Sequence, residues 1–407
     1  MMLSRLRHRV VFVASRSQSY LAGLGVVTLS QSVMFSCYSG IVPLLATVSS
    51  SATGSGLALA APSVARLCSN SVLGRCADQF GRVPVIVGGE VVAAAATAAA
   101  GCASSVYALV PARFAFGVGG SAFGVGTVAW LTDVTAAPGI RRHRGVIMGV
   151  MGAFSAGAWY AGPAVSGTLA AQIGPAAAFG GLGAAILACA GAGLALPEPP
   201  RAADPPEDAR FRIGETQTAL AVAHATLALN YAALIGIVPL RVATLDGPAT
   251  GLFGLIAAVA VLASPISGLA SDRLGRIPIV LPGLAACALG TAGLALAPDP
   301  LSFTAAALLR TAGLDLAAPA IVAATSDFAP SHARGQALAF TRNAADVTYI
   351  SAAPLLGFLS DLSGPELPLI TCALFTTAAT LHLATARLDN YTAPSLSSKS
   401  PSSTNLD

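Results

Sequence analysis

The chain has few charged side chains and a single lysine. Only 10% of its 407 residues are Asp, Glu, Lys or Arg, whereas about 25% is usual in soluble domains. The one lysine, Lys399, lies in a polar C-terminal segment, which excludes a Walker-type phosphate loop and a buried Schiff-base amine. Aromatic residues make up only 6%, while hydrophobic residues reach 55% and glycine is abundant. This composition predicts an integral membrane protein in which small residues let helices pack closely.

Acidic residues are absent before Asp78, and the first nineteen residues are rich in arginine. A positive cytoplasmic tail and an organellar transit peptide both fit this segment. The seven cysteines include no Cys-x-x-Cys pair, so neither a zinc site nor a disulfide framework is predicted. The basic residues are dispersed between apolar stretches rather than gathered in one stripe. We therefore expect no nucleic-acid partner.

Twelve continuous apolar stretches occupy most of the chain, in two groups of six. They lie at about 21–46, 54–74, 84–104, 107–131, 145–171 and 175–196, and then at about 218–240, 249–270, 278–297, 301–325, 335–360 and 366–386. Runs of this length predict membrane-spanning helices rather than barrel strands. The predicted organisation is an N-terminal tail at 1–19, six-helix bundles at 20–196 and 218–387, a cytoplasmic linker at 197–217 and a disordered tail at 388–407.

The basic residues predict the orientation. With the N-terminus inside, most of the 22 Lys and Arg residues fall in cytoplasmic segments, and Arg241 is the exception in an outer loop. This bias follows the positive-inside rule and requires an even number of spans in each half. We expect both termini in the cytoplasm and the protein in the plasma membrane, with an organellar membrane as the alternative.

An internal repeat relates the two halves. Residues 77–84 (ADQFGRVP) and 271–278 (SDRLGRIP) are 194 positions apart and share Asp, Gly, Arg and Pro. Asp133 and Asp327 are related by the same offset of 194. A duplicated six-helix unit is typical of secondary transporters, whose substrate site lies between the halves.

These two loops resemble the signature of the major facilitator superfamily between helices 2 and 3 and between helices 8 and 9. The matching residues are Gly74, Asp78, Gly81 and Arg82 in the first copy and Gly268, Asp272, Gly275 and Arg276 in the second. The glycines permit a tight turn, and Asp and Arg can pair with each other and with helix ends. The resemblance implies two six-helix bundles that rock around a central cavity, with these loops latching the halves in the outward-facing state.

Two further segments resemble motifs of the same family. Residues 113–120 look like its Arg-x-x-x-Gly-x-Gly segment in helix 4. Helix 5 carries Gly162, Pro163 and Gly167, which resemble the glycine-proline motif of proton-coupled drug antiporters, with Ser166 where the pattern has Gly. Such a run supplies a smooth face that can pack tightly on a neighbouring helix.

Charged residues within the predicted spans are candidates for the transport site, because inserting each one costs at least ~2.5 kcal/mol. Asp315 in helix 10 and Asp346 in helix 11 lie at the same depth, about 16 Å from the inner end of each helix. Arg342, one turn from Asp346, is predicted to pair with it. Asp315 has no such neighbour and is the better candidate to bind a proton. A structural charge network is the alternative role for both acids.

Three arginines and an asparagine complete the predicted cavity. Arg66 and Asn70 lie one turn apart in helix 2, while Arg113 in helix 4 and Arg310 in helix 10 occupy corresponding positions of the two halves. Arg113 and Arg310 are candidates for flanking an anionic group, and structural pairing is the alternative role for them. The acids of helices 10 and 11 are similar to those of vesicular amine transporters, which also carry an acid in helix 1 that this chain lacks.

These features predict a monomeric secondary transporter without enzymatic activity. Its partners are the lipid bilayer, protons and a small-molecule substrate; we expect no metal and no cofactor, and the proton gradient is the driving force. The resemblance favours proton-coupled export of small organic compounds by alternating access. The alternative is a facilitator or symporter for an organic anion or other small metabolite, which is favoured if Arg66, Arg113 and Arg310 converge.

Overall fold

The structure, a computed structural model, describes residues 2–135, 144–199, 213–245, 249–329 and 334–386. These residues form helices and no strand. The helices are α1 Met2–Ser39, α2 Val42–Val48, α3 Ala52–Phe80, α4 Arg82–Gly101, α5 Val106–Thr135, α6 Arg144–Ile173, α7 Pro175–Gly193, α8 Glu215–Gly236, α9 Val238–Ala243, α10 Ala249–Leu274, α11 Ile277–Leu296, α12 Pro300–Asp327, α13 Arg334–Ser363 and α14 Glu366–Thr385. The short helices α2 and α9 continue α1 and α8 after brief interruptions. The fourteen helices therefore correspond to the twelve apolar stretches that were predicted to be helices.

The observed helices agree with the apolar stretches to within a few residues at most ends. The predicted tail at 1–19 is part of α1, which begins at Met2. The predicted tail at 388–407 and residues 200–212 of the linker lie outside the described residues. Near the linker, Glu198 accepts hydrogen bonds from the backbone N–H groups of Arg82 and Val83 at 2.6 and 2.9 Å, which caps the start of α4.

Helices α1–α7 form one bundle and α8–α14 form the other, and equivalent glycines make the tightest crossings inside each. In the first bundle, a Cβ on Gly119 would lie 2.6 Å from the carbonyl oxygen of Gly89. In the second bundle, a Cβ on Gly313 would lie 2.5 Å from the carbonyl oxygen of Gly283. Only glycine permits helices α4 and α5, or α11 and α12, to approach this closely. The repeat seen in the sequence is therefore a repeat of the packing.

The two bundles meet along a seam, formed by α3 against α13 and by α6 against α10. We call the end of the molecule with the loops at Gly81 and Gly275 the signature end, and the opposite end the distal end. Toward the distal end, a Cβ on Gly56 of α3 would collide with the carbonyl of Ala353. Toward the signature end, Arg342 of α13 is exposed. The seam is therefore closed at the distal end and open toward the signature end.

Nine helical segments of the described residues are long and apolar enough to cross a membrane. The long helices outside that set are α3, α6 and α13, all of which lie in the seam. A helix that faces the other bundle is less in contact with lipid, so it can carry Gly, Ser and charged residues. The fourth seam helix, α10, is nevertheless apolar enough to belong to the set, so a seam position goes with lower hydropathy in three of the four helices.

Candidate functional site

In each signature loop, one glycine has the backbone conformation that makes the tight turn. Gly81 has φ +107° and Gly275 has φ +94°, a left-handed region that favours glycine. Gly74 and Gly268 instead lie inside α3 and α10. The prediction that the signature glycines form the turn is confirmed for Gly81 and Gly275 and is wrong for the other two.

Each signature arginine lies between two carboxylates of its own bundle. The distance from Nε is 3.4 Å to the carboxylate of Asp133 in the first bundle and 2.9 Å to that of Asp327 in the second. The full sets are Arg82 with Asp78 and Asp133, and Arg276 with Asp272 and Asp327. The predicted Asp–Arg pairs are thus confirmed, and all of them lie within one bundle. A latch between the bundles in another conformational state stays a prediction.

At the distal end, a carboxylate of one bundle caps a helix of the other. Asp361 of α13 accepts hydrogen bonds from the backbone N–H groups of Ala52 and Thr53 at 2.8 and 2.9 Å. The Thr53 hydroxyl donates to the same carboxylate at 2.5 Å. These three bonds hold the start of α3 against the end of α13. Sequence analysis did not single out Asp361; its signal in the sequence was an acid near the end of a predicted helix.

In the middle of the seam, the partner of Asp346 is Arg66. Arg66 Nη2 lies 2.6 Å and Nε lies 3.1 Å from Asp346 Oδ1, and Nη2 also donates to Ser63 Oγ at 2.7 Å. The predicted pair between Arg342 and Asp346 within α13 is therefore wrong. The physical reason is that Arg66 reaches Asp346 from α3, while Arg342 extends toward the open part of the seam and is solvated there.

Arg342 is consequently a cation without a carboxylate. Among the described residues, no Asp or Glu lies within ion-pair distance of its guanidinium. A Cβ on Gly124 of α5 would lie 3.8 Å from Arg342 Nη2, so the guanidinium reaches the opposite bundle. This side chain is accessible from the signature end and lies between the two bundles.

The second acid makes a different bond across the seam. The Tyr160 hydroxyl of α6 donates to Asp315 Oδ2 of α12 at 2.8 Å, and both side chains are buried. Arg310 donates to the backbone carbonyl of Asn230 within its own bundle. Asp315 therefore meets the other bundle through a neutral hydroxyl, whereas Asp346 meets it through an arginine.

A band of aromatic rings lies between these two acids. Tyr38 stacks on Trp159 with ring centroids 4.8 Å apart, and Trp159 contacts Tyr231 at 5.5 Å. Tyr231 in turn lies 6.4 Å from Tyr160, and Tyr349 lies 6.5 Å from Tyr38. Sequence analysis missed Tyr38, Tyr160 and Tyr349; their signal was a phenol inside a predicted span, where its hydroxyl needs a partner.

The three arginines converge only in part. The guanidinium of Arg113 lies 4.7 Å and that of Arg66 lies 5.5 Å from the centre of the Tyr38 ring. Arg310 instead lies beside Asn230 near Asp315. The equivalent glycines of the two bundles are 194 positions apart. With the same offset, Arg113 corresponds to Ala307 of α12, which is one turn from Arg310. The predicted symmetry of Arg113 and Arg310 is therefore approximate.

The remaining predicted residues act within the first bundle. Asn70 accepts a hydrogen bond from Ser121 Oγ at 2.5 Å. A Cβ on Gly162 would collide with Ser36 and Ser39 of α1, and Ser166 donates to the Gly40 carbonyl at 2.6 Å. Pro163 is buried inside α6, and Gly167 is half-buried there. The predicted tight face of helix 5 is confirmed at Gly162, where it packs on α1.

Two six-helix bundles, with charged and aromatic side chains along the seam between them, define the class of secondary transporters built from repeats. A sequence profile of the Major Facilitator Superfamily matches residues 24–344 and, in a second match, residues 220–404. The chain therefore belongs to the Major Facilitator Superfamily, a family of membrane transporters.

Solved structures of two transporters share this fold. The crystal structure of the human organic anion transporter MFSD10 (TETRAN) matches with a TM-score of 0.69 and 15% identity, covering 88% of this chain and 98% of that chain. A bacterial homolog of the human lysosomal transporter Spinster, inward-facing and occupied, matches with a TM-score of 0.75 and 17% identity, covering 90% and 96%. The unoccupied form of that homolog gives 0.67 and 16%, covering 90% and 95%. No curated protein matches in a direct sequence comparison.

Proposed function

We propose that this transporter carries a small organic anion together with protons, by alternating access around the seam. One observation carries the proposal: Arg342 lies exposed between the bundles without a carboxylate, because Asp346 is already paired with Arg66. This part of the seam therefore holds two arginines, Arg66 and Arg342, and one acid. An anionic group of a substrate would compensate the excess positive charge.

The ion pair between Arg66 and Asp346 gives this binding a dependence on protons. While Asp346 is charged, it competes with a substrate anion for the guanidinium of Arg66. A proton on Asp346 would free Arg66 to bind the anion, so proton and anion would favour each other's binding. Reciprocal coupling of this sign corresponds to symport. The order of the two hypotheses from the sequence is thus reversed, with the organic-anion symporter placed first.

A second candidate is proton-coupled export of an organic cation or neutral compound. It is supported by Asp315, a buried carboxylate whose partner from the other bundle is the neutral Tyr160, beside the ring of Tyr231. A cationic substrate could interact with both the carboxylate and the aromatic faces. Here substrate and proton would compete for Asp315, which corresponds to antiport.

In either case we propose that the signature end faces the cytoplasm, because the arginine-rich loops lie there. The state in which the distal end is closed is then inward-facing. We also propose that the protein lies in the plasma membrane and is a monomer.

The test is substrate uptake and internal pH in proteoliposomes, with organic anions, cations and neutral compounds supplied in turn. We expect organic anions to move with protons, with apparent affinity rising as the pH falls. Arg342→Gln should abolish this uptake, whereas Arg273→Gln, an exposed arginine at the signature end, should leave it unchanged. Cations that drive protons in the opposite direction would support the second candidate, and transport that is indifferent to pH would contradict both.

A further inference from the structure

Arg113 is a buried cation whose charge is not balanced by the protein around it. Its side chain is only 2% exposed, and its guanidinium lies over the rings of Tyr38 and Phe116 at 4.7 and 5.5 Å. Nε and Nη2 are buried without a hydrogen-bond partner. Among the described residues, no carboxylate forms an ion pair with it. Aromatic faces offset part of the charge, but two N–H donors remain unsatisfied.

The second bundle holds a comparable buried arginine that has an acid in its own helix. Arg310 is 1% exposed and, like Arg113, has two buried nitrogens without a hydrogen-bond partner, Nε and Nη1. Asp315 lies five positions further along the same helix, close enough for its charge and that of Arg310 to interact. Five positions after Arg113, the first bundle has Val118. The first bundle therefore keeps a buried arginine and lacks the acid that would accompany it.

A small cavity lies beside Arg113 inside the first bundle. Its volume is about 10 Å³, and Arg113, the Cys37 thiol and the Thr97 hydroxyl contribute its polar lining, with Phe116 and Phe179 among its apolar walls. A volume of about 10–15 Å³ is enough for one water-sized particle. A single atom or ion suits this space better than the several atoms of a carboxylate or phosphate group.

We propose that a chloride ion occupies this cavity and is held by Nε and Nη2 of Arg113. A water molecule would satisfy the two N–H donors but would leave the positive charge uncompensated in a low-dielectric interior, which is costly. A monatomic anion both accepts the hydrogen bonds and neutralises the charge. This site is distinct from the substrate site proposed above, because it lies within one bundle and does not involve Arg342 or Asp346.

The consequence is a halide requirement that does not depend on the substrate. With chloride bound, the charge of Arg113 is balanced locally, and Arg66 and Arg342 remain as the cations of the seam. Chloride binding stabilises the folded first bundle by mass action, because the unfolded chain has no such site. Halide dependence should therefore appear in stability as well as in transport.

The experiment measures thermal unfolding of the purified full-length protein in sodium chloride, sodium bromide and sodium gluconate at equal ionic strength. We expect a Tm about 2 °C or more higher in both halides than in gluconate. Arg113→Gln should remove this difference. Ala96→Val, which keeps the arginine and fills part of the cavity, should also remove it, and the control Arg273→Gln should retain it.

A direct measurement on the wild-type protein complements the variants. Crystals grown in sodium bromide should show an anomalous bromide peak beside Nε and Nη2 of Arg113. The same Tm in all three salts, or a water molecule in place of a bromide peak, would overturn the proposal. Because neither readout requires transport, failure of the anion-symport proposal would leave this result intact, and the reverse also holds.

Discussion

The two bundles are alike in their signature loops and glycine crossings, and they differ in the charged residues along the seam where they meet. Both signature loops have a left-handed glycine and an arginine between two carboxylates, and both have the same glycine crossings. In the seam, by contrast, Asp315 corresponds to Ser121 and Arg66 to Ala260 under the offset of 194. The repeat therefore preserves the scaffold, while the charged side chains that face the other bundle are particular to one half.

This difference places opposite charges on opposite sides of the seam. The first bundle contributes Arg66 and the second contributes Asp346, so their ion pair exists only when the bundles are close. Under the offset of 194, the position equivalent to Arg66 is Ala260 in α10 and the position equivalent to Asp346 is Gly152 in α6, so the repeat-related side of the seam has no charge at these positions. Divergence of the repeat has thus left this electrostatic contact on the α3–α13 side of the seam and not at the equivalent positions of α6 and α10.

The largest effect should come from breaking the ion pair that distinguishes the halves. Asp346→Asn would leave Arg66 without its carboxylate, and losing one partner of a buried pair costs about 3 kcal/mol or more. Because Asn mimics the protonated acid, we expect anion binding to persist but to lose its dependence on pH, and anion uptake in proteoliposomes to lose its coupling to proton movement. The exchange Arg66→Asp with Asp346→Arg should recover part of that coupling. Wild-type coupling in Asp346→Asn would refute the assigned role.

A wedge in the seam should have the next largest effect. Gly56→Leu places a side chain where the Ala353 carbonyl lies, so the distal end cannot close. We expect uptake to fall more than tenfold and amide hydrogen exchange at the start of α3 to increase. Gly254→Leu in α10, where a Cβ meets nothing within 4 Å, is the matched control. Equal behaviour of both variants would show that distal closure is not required.

A matched pair of variants distinguishes the cap that Asp361 makes across the seam from a cap within one bundle. Asp361→Ala removes three hydrogen bonds across the seam, whereas Asp299→Ala removes a cap of α12 within one bundle. Loss of a cap costs about 1 kcal/mol. We expect both variants to lose stability, but only Asp361→Ala to increase hydrogen exchange at residues 52–56. If Asp299→Ala increases exchange at residues 52–56 as much, Asp361 does not hold the two bundles together at the distal end.

The smallest expected effect is a difference in stability between variants of the two signature arginines. Arg82→Gln loses Asp133, whose side chain is 6% exposed, while Arg276→Gln loses Asp327, which is 40% exposed. Exposed pairs contribute less than buried ones, so Arg82→Gln should be the more destabilising variant by about 1 kcal/mol. Thermal unfolding in detergent measures the difference. A larger loss in Arg276→Gln would contradict this ranking by burial.

Much of the fold could be predicted because its signals are local. Long apolar runs located the helices, and the repeated Asp, Gly and Arg located the loops that join α3 to α4 and α10 to α11. The pair of Asp346 could not be predicted, because Arg342 and Arg66 are both sterically possible partners and one of them is 280 residues away. The aromatic band was missed for the same reason, since its rings come from separate helices.

The sequence by itself determined the membrane environment, the positions of the twelve long apolar helices, the duplication and which charged residues lie within the helices. Each of these follows from composition or from spacing along one helix. Only the tertiary structure decided that Asp346 meets Arg66, that Tyr160 meets Asp315, and that Arg342 remains open between the bundles. The physical reason is that these contacts depend on how two rigid bundles approach each other, and a side chain's partner across that seam leaves no mark on its own helix.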